Sequence, residues 1–444
     1  MSTRTEVPAG APAYRVRTLD LHPVIGEEPY VRRVLDQPLT STAFAELGTI
    51  SRHLGVTAEF KAVIDYFGTP EGHTPPGFRV AWNVEPGGLL EADLVRDISY
   101  DADGALRPTN LLFSADSANP YEIAPIAGLV ANLTCNPGII YDLFLKNPEA
   151  NVGGLFKDRD EVMAEIGRVL GPGCDISVEL NNPFDPDFGR ILAEVEKFRE
   201  MLSRWRVVIK VPHTGPVNAD NVGQLLSGDK HLDRRWWQPA TVDAFRGHNL
   251  ALRLREQGIR VNFTLMFEPH QAQLALQARP YFINAFIRHR LLQSTRLAGL
   301  LDDYAATEDP NVLASLRSYL IEQDYLARTD TDFDLTEARR MAEQIVAYRQ
   351  VRTPAGADGL DTVRHNLRAL RSANLPETRL IVCSMEGDRN YPEIDRLLAS
   401  DEFADMSRRL VLTAEPGYLA RFASANQVVS YQRRFMTAAQ GQKI

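Results

Sequence analysis

Between residues 111 and 414 the chain repeats one texture eight times: an apolar run of six or seven residues and, in most cases, a longer amphipathic segment after it. The runs are LLFSAD (111–116), GLVANLT (128–134), CDISVEL (174–180), RVVIKVP (206–212), IRVNFTL (259–265), YFINAFI (281–287), RLIVCSM (379–385) and RRLVLTA (408–414). Their near-continuous apolarity predicts strands buried on both faces. Segments between them, such as DEVMAEIGRVL, FGRILAEVEKFREML, PHQAQLALQA and NYPEIDRLLA, carry helical spacing. Eight such alternations predict an α/β fold, a parallel sheet closed as a (β/α)8 TIM barrel.

The barrel region is expected over 106–444, and two of its spacers are too long for a single crossover. Residues 216–250 and 291–370 read as insertions, the latter as extra helices (RLAGLLDDYAA, NVLASLRSYLIEQ, EARRMAEQIVAYRQVR). They decorate the barrel or present a surface for homo-oligomers. Upstream, 15–105 reads as an N-terminal extension of helical signals (TAFAELGTISRHLG, TAEFKAVIDYFG) and Pro/Gly-rich links, with no nameable fold. Residues 1–14 are polar and Pro/Ala-rich, which predicts a disordered tail and lacks the basic-then-apolar order of a signal peptide.

A formal net charge of −9 argues against a nucleic-acid partner. No apolar run is long enough to span a bilayer, so no membrane partner is expected. The three Cys are scattered, which suits a reducing cytoplasm, and the nine His show no metal-ligand spacing. No metal or other cofactor is expected.

Lysine is rare here, 7 residues against 42 Arg, yet Lys210 stands near the end of the fourth apolar run. A buried ammonium is costly to desolvate and tends to lose its proton. A neutral amine on a rigid strand is what a carbonyl compound needs to form a Schiff base. Arg cannot serve, because its guanidinium stays protonated. Taken alone, a V-x-K triplet more often marks a lysine whose stem is buried and whose head reaches solvent. The other strand ends alter that balance. Asp116, Thr134 with Asn136 after it, Glu179, Thr264, Asn284, Ser384 and Thr413 stand at or near the ends of the remaining runs. In a barrel these ends converge at one mouth, where active sites are built. Glu179 with Thr264 suits proton movement around the lysine, and Asp116 suits the proton at a breaking carbon–carbon bond. Asn136 offers an uncharged contact to a substrate hydroxyl. Asp116 also fits a plainer role, as cap of the helix signalled by SADSANPYEI.

The stretches LFSADSANPYEIAPI, GLVANLTCNPGII, DISVEL, VVIKVPHT, VNFTLMFEPHQAQLALQA and YFINAFI resemble the transaldolase family. That family carries an Asp on the first strand, a Thr-Thr-Asn-Pro box after the second, a Glu on the third, the Schiff-base Lys on the fourth and an N-L-T-L-x-F box on the fifth. Asp116, Thr134-Cys135-Asn136-Pro137, Glu179, Lys210 and the run from Asn262 to Phe267 match in order. The resemblance spans about 106–425 and implies a cofactor-free enzyme of carbohydrate metabolism, in the manner of the pentose phosphate route. Such an enzyme moves a dihydroxyacetone unit between sugar phosphates through a lysine Schiff base. By family role, Lys210, Asp116, Glu179 and Thr264 are catalytic, and Thr134 and Asn136 orient substrate.

Departures cluster at the substrate's phosphate end. Cys135 replaces the second Thr of the box. The family's sixth strand ends like I-S-P-F-V-G-R, with Ser on substrate and Arg on phosphate; here Asn284 replaces the Ser, and His289 falls at the Arg position between Arg288 and Arg290. The family's Ser-x-Arg-Asn after the seventh strand becomes SMEGDRN, so Ser384, Arg389 and Asn390 match only across an insertion. Arg389 is the expected main phosphate anchor. Arg288 and Arg290, which share the strand parity of Asn284, are the expected weaker partners, with His289 turned toward the helices. Two alternatives stay open: a Schiff-base aldolase without a transfer cycle, like fructose-6-phosphate aldolase, and a non-catalytic barrel that binds a partner. Glu179 tilts the reading toward transfer, since those aldolases do not use a Glu there.

Overall fold

The structure, a computed structural model, describes residues 14–213, 215–233, 235, 237–385, 387–422 and 424–441. Of the expected tail, residues 1–13 lie outside these. The chain divides into two compact units, one running to Asn110 with Leu170–Asp175 and Arg204–Arg206, the other holding the rest.

In the first unit, short pairs β1 (Tyr14–Arg15) and β3 (Pro38–Leu39) run antiparallel. A four-stranded sheet follows the order β2 (His22–Pro23), β4 (His53–Val56), β6 (Leu89–Arg96), β5 (Phe78–Glu85). The helical signals become helices Ser41–Ile50 and Ala58–Phe67, each started by a threonine. Thr40 Oγ1 accepts from Ala43 N at 3.1 Å and Thr57 Oγ1 from Phe60 N at 3.0 Å, which satisfies helix-start amides. Leu47, Phe60, Ile64, Trp82, Leu90 and Leu94 are buried together in its core. The β5–β6 hairpin, which the reading of this region as helical signals and Pro/Gly-rich links did not foresee, joins two alternating runs, FRVAWNVE and LLEADLVR, through a turn in which Gly87 and Gly88 both take positive φ.

The second unit carries the eight strands where the apolar runs stand. They are β7 (Leu112–Asp116), β8 (Val130–Thr134), β9 (Asp175–Glu179), β10 (Arg206–Pro212), β11 (Arg260–Thr264), β12 (Phe282–Phe286), β13 (Arg379–Cys383) and β14 (Leu410–Ala414). They close in chain order, with β14 pairing β7 in parallel, and helices surround them. This is a (β/α)8 TIM barrel. Outward residues such as Ile209, Val211, Val261, Phe263, Ile283 and Val382 are buried in the layer shared with the helices. The opposite parity is therefore free to carry polar groups inside the barrel. No helix among the described residues is long and apolar enough to cross a membrane.

The 291–370 spacer folds as helices Arg288–Thr307, Pro310–Glu322 and Leu335–Tyr348, with a core of their own that includes Leu297, Leu316, Leu320, Ala342 and Val346. A further helix, Asp361–Ser372, leads to β13. The two long spacers meet through a hydrogen bond between His231 Nδ1 and Asp324 at 2.7 Å and through ion pairs of Arg328 with Asp229 and of Arg235 with Asp330. Both decorations leave the barrel after strands whose ends face the mouth, one of them the strand of Lys210.

Candidate active site

The barrel interior is built on a simple alternation. Ser114 and Asp116 on β7, Asn132 and Thr134 on β8, Ser177 and Glu179 on β9, and Asn262 and Thr264 on β11 are spaced by two, so each pair shares one face of its strand. The deeper members hydrogen-bond around the inside of the barrel. Asn132 Nδ2 donates to Ser114 Oγ at 2.7 Å, and Ser177 Oγ donates to Asn132 Oδ1 at 3.1 Å. Asn262 Nδ2 donates to Ser177 Oγ at 3.1 Å, and Asn284 Nδ2 donates to Asn262 Oδ1 at 2.5 Å. Cys383 Sγ closes the run on Asn284 Oδ1 at 3.4 Å. Full satisfaction is what makes such a buried polar belt tolerable, and it fixes side-chain orientation below the mouth. Sequence reasoning did not assign roles to Asn132, Ser177 or Cys383. The signal was present, as a polar residue two positions before most of the expected site residues.

Lys210 pairs in register with Asn262, so its amine rises from the level of that neighbour. The lysine is buried, and its Nζ lies 3.1 Å from Glu179 Oε2 on the adjacent strand. Burial alone lowers the lysine pKa, but the charges of Glu179 and Asp116 outweigh it and the net direction is upward. The expectation that burial leaves the amine neutral is therefore corrected. Glu179 stands in contact with the amine, placed to take a proton from it.

Asp116 is raised to about 6, first by burial and then by Glu415 and Glu179, against the opposing pull of Lys210 and Arg288. The residue keeps part of its surface, but Oδ1 is sealed from solvent and has no hydrogen-bond partner among the described residues. It does not cap the next helix; Asn119 Oδ1 does, accepting from Tyr121 N at 3.0 Å. A carboxylate held aloof from the protein, near the amine and close to neutrality in pKa, is placed to exchange a proton with a bound molecule.

Thr134 and Thr264 are buried at the ends of β8 and β11, and Thr134 Oγ1 has no partner among the described residues. Asn136 spends its carboxamide oxygen on the turn that follows, accepting from Ile139 N at 3.0 Å. Cys135 points away from this chemistry: its Sγ meets Met163 Sδ at 3.7 Å, and burial pushes its thiol up to about 12.

The other expected contacts are engaged within the protein. Asn284 Nδ2 is held by Asn262 and by the Phe263 carbonyl, so its amide braces the belt. Strand β12 ends at Phe286 and a helix starts at Arg288, so strand parity does not extend to residues 288–290. Arg290 is buried between Glu268, at 3.1 Å, and Asp361. Arg349 joins it, bonding Glu268 at 2.6 Å and Tyr325 Oη at 2.6 Å, so Arg290 locks the helical insertion and does not face the mouth. His289 Nε2 lies 3.0 Å from Gln293 Nε2, one turn along the same helix. Arg389 is exposed and donates to the Ala357 carbonyl at 3.0 Å, while the neighbouring Asn390 is buried. Ser384 ends β13 with φ of 52° and presents its carbonyl to Arg288 N at 2.5 Å. Arg288 remains at the mouth, donating to the Met385 carbonyl at 2.7 and 3.2 Å, with Glu415 beyond it at 4.0 Å.

Comparison with curated proteins returns no match. Against protein families, the profile described as Transaldolase/Fructose-6-phosphate aldolase matches residues 113–386, from β7 to just past β13. More than half of the chain, including Asp116, Glu179, Lys210 and Thr264 on a (β/α)8 barrel, is thus accounted for, and the chain belongs to the transaldolase/fructose-6-phosphate aldolase family.

Proposed function

We propose that the protein is a transaldolase-type transferase that carries a three-carbon dihydroxyacetone unit on Lys210 from a ketose to an aldose. The observation that carries this reading is the contact of Lys210 Nζ with Glu179 Oε2 at 3.1 Å, with the unpartnered Asp116 carboxylate beside it. Glu179 takes the ammonium proton, and the freed amine adds to the ketone carbon. A C–N bond forms, water leaves as the carbinolamine dehydrates, and an iminium results. Asp116 then accepts the proton of the hydroxyl on the far carbon of the breaking C–C bond, the carbon that leaves as the aldehyde. The electron pair of that bond passes into the enamine on Lys210, and an aldehyde departs. Reversal with a second aldehyde completes the transfer.

Glu179 favours transfer over simple cleavage. Aldolases that resemble this chain but work without a transfer cycle do not use a Glu at this place on the third strand. The test is borohydride reduction in the presence of a ketose, followed by mass analysis of the labelled peptide. A three-carbon adduct on Lys210, and product formed only with an aldose acceptor, support transfer. Free dihydroxyacetone in excess of transferred product points to the aldolase alternative. Absence of any adduct overturns the Schiff-base reading.

A further inference from the structure

Of the three arginines expected at the phosphate end, two are engaged elsewhere. Arg290 is consumed by Glu268 and Asp361 inside the helical insertion. Arg389 is exposed and bonded to the Ala357 carbonyl. Arg288 is half-buried at the end of β12, and two of its N–H groups bind the Met385 carbonyl. Among the described residues, one carboxylate neighbour is Glu415, the residue after β14, with Nη2 and Oε1 4.0 Å apart. Glu415 and Arg288 both act on Asp116, in opposite senses. Among the described residues, the charged groups that act most on Asp116 are Lys210 and Arg288 on one side and Glu179 and Glu415 on the other. With Asp116 ionised, the five carry one negative charge in excess.

A phosphate group brings roughly 1.5 to 2 further negative charges at neutral pH and is best met by bidentate guanidinium forks. A guanidinium edge beside a carboxylate makes a different receptor. It offers donors and acceptors side by side, which matches hydroxyl groups, each both donor and acceptor. Being at the ends of β12 and β14, with β13 between and β7 adjoining, the pair lies on the Asp116 side of the mouth.

We propose that Arg288 and Glu415 hold the distal hydroxyl groups of an unphosphorylated polyhydroxy sugar, and that Glu415 is the residue that rejects a phosphate at that end. This rests on the Lys210 Schiff-base reading and narrows its substrate class. Discrimination by a misplaced like charge needs no new contact to the correct sugar, because repulsion of the wrong one is enough.

The test uses the full chain, with dihydroxyacetone as donor and either D-glyceraldehyde or D-glyceraldehyde 3-phosphate as acceptor. Borohydride trapping of the dihydroxyacetone adduct at Lys210 serves as the control that involves no phosphate. The wild type is expected to favour D-glyceraldehyde in kcat/KM by about tenfold or more, as like-charge juxtaposition is costly. Glu415→Gln should move that ratio toward the phosphate by about tenfold, and Glu415→Arg further. If the adduct forms but the wild type prefers the phosphate, or Glu415→Gln leaves the ratio within about twofold, the specificity proposal fails while the Schiff-base reading stands. If no adduct forms, both fall.

Discussion

Glu179 and Lys210 stand on adjacent parallel strands with carboxylate and amine 3.1 Å apart, and the pair is almost wholly withdrawn from water. Each solves a problem for the other. The carboxylate makes a buried ammonium tolerable, and the ammonium makes a buried carboxylate tolerable. Because burial's downward pull on the lysine is outweighed, this part of the ion pair's stabilisation persists at neutral pH. It is lost only as pH rises past the ordinary lysine range.

Lys210→Arg should leave the barrel folded and abolish the borohydride-trapped adduct. Arg keeps the charge opposite Glu179 but cannot supply a free electron pair. The longer side chain costs about 1–3 kcal/mol in overpacking, readable as a lowered Tm. An Arg variant that still turns over a ketose at near wild-type rate sinks the Schiff-base assignment.

Asp116→Asn separates two steps. The adduct should still form, and cleavage should fall by about 10²–10⁴-fold, the usual share of a positioned acid/base. Single-turnover trapping followed by aldehyde release measures both. In the wild type, cleavage should decline as pH drops through about 6, because Asp116 then holds its proton and cannot accept another.

The same carboxyl costs stability. Its folded pKa of about 6 stands above the ordinary value of 3.8, so the penalty is full above pH 6, shrinks between the two values and vanishes below the lower one. Asp116→Asn should therefore raise stability at pH 8 by roughly 1–3 kcal/mol, with the gain fading in acid. Equal thermal midpoints for variant and wild type at pH 8 and pH 4 contradict this.

Glu179→Gln removes the largest influence raising the lysine pKa, so more free amine is present at neutral pH. The rise in adduct-formation rate with pH should shift to lower pH. Turnover should nevertheless fall by about 10²-fold or more, since the proton acceptor is gone. Rapid-quench trapping across a pH series reads the shift; an unmoved profile means Glu179 does not govern the amine.

Glu268→Ala should destabilise the protein by about 3–5 kcal/mol, because it strips a carboxylate from the buried guanidinium groups of Arg290 and Arg349. Glu268→Gln, which keeps acceptor geometry, should lose less. Limited proteolysis within 308–334 should accelerate in the Ala variant if Glu268 anchors the helical insertion.

The sequence alone determined the barrel and the places of its strands. The eight strands occur where apolar runs stand, because a doubly covered strand must be apolar along its length and period-two alternation assigns each interruption to one face. Lys210, Glu179, Asp116 and Thr264 were legible for the same reason: a charged or hydroxylated residue at the end of such a run has the mouth to face. The protonation state of Lys210 was not, because it depends on a carboxylate on a neighbouring strand thirty-odd positions away, and sequence spacing holds no information on that distance. Arg290 was misplaced for a related reason. Where β12 gives way to a helix, the period changes from 2.0 to 3.6 residues, and Arg290 turns from the mouth into a carboxylate pair formed by Glu268 and Asp361. Only the tertiary structure brings Glu415, from the last strand, beside Arg288 and Asp116, because ring closure makes neighbours of residues that the chain holds furthest apart.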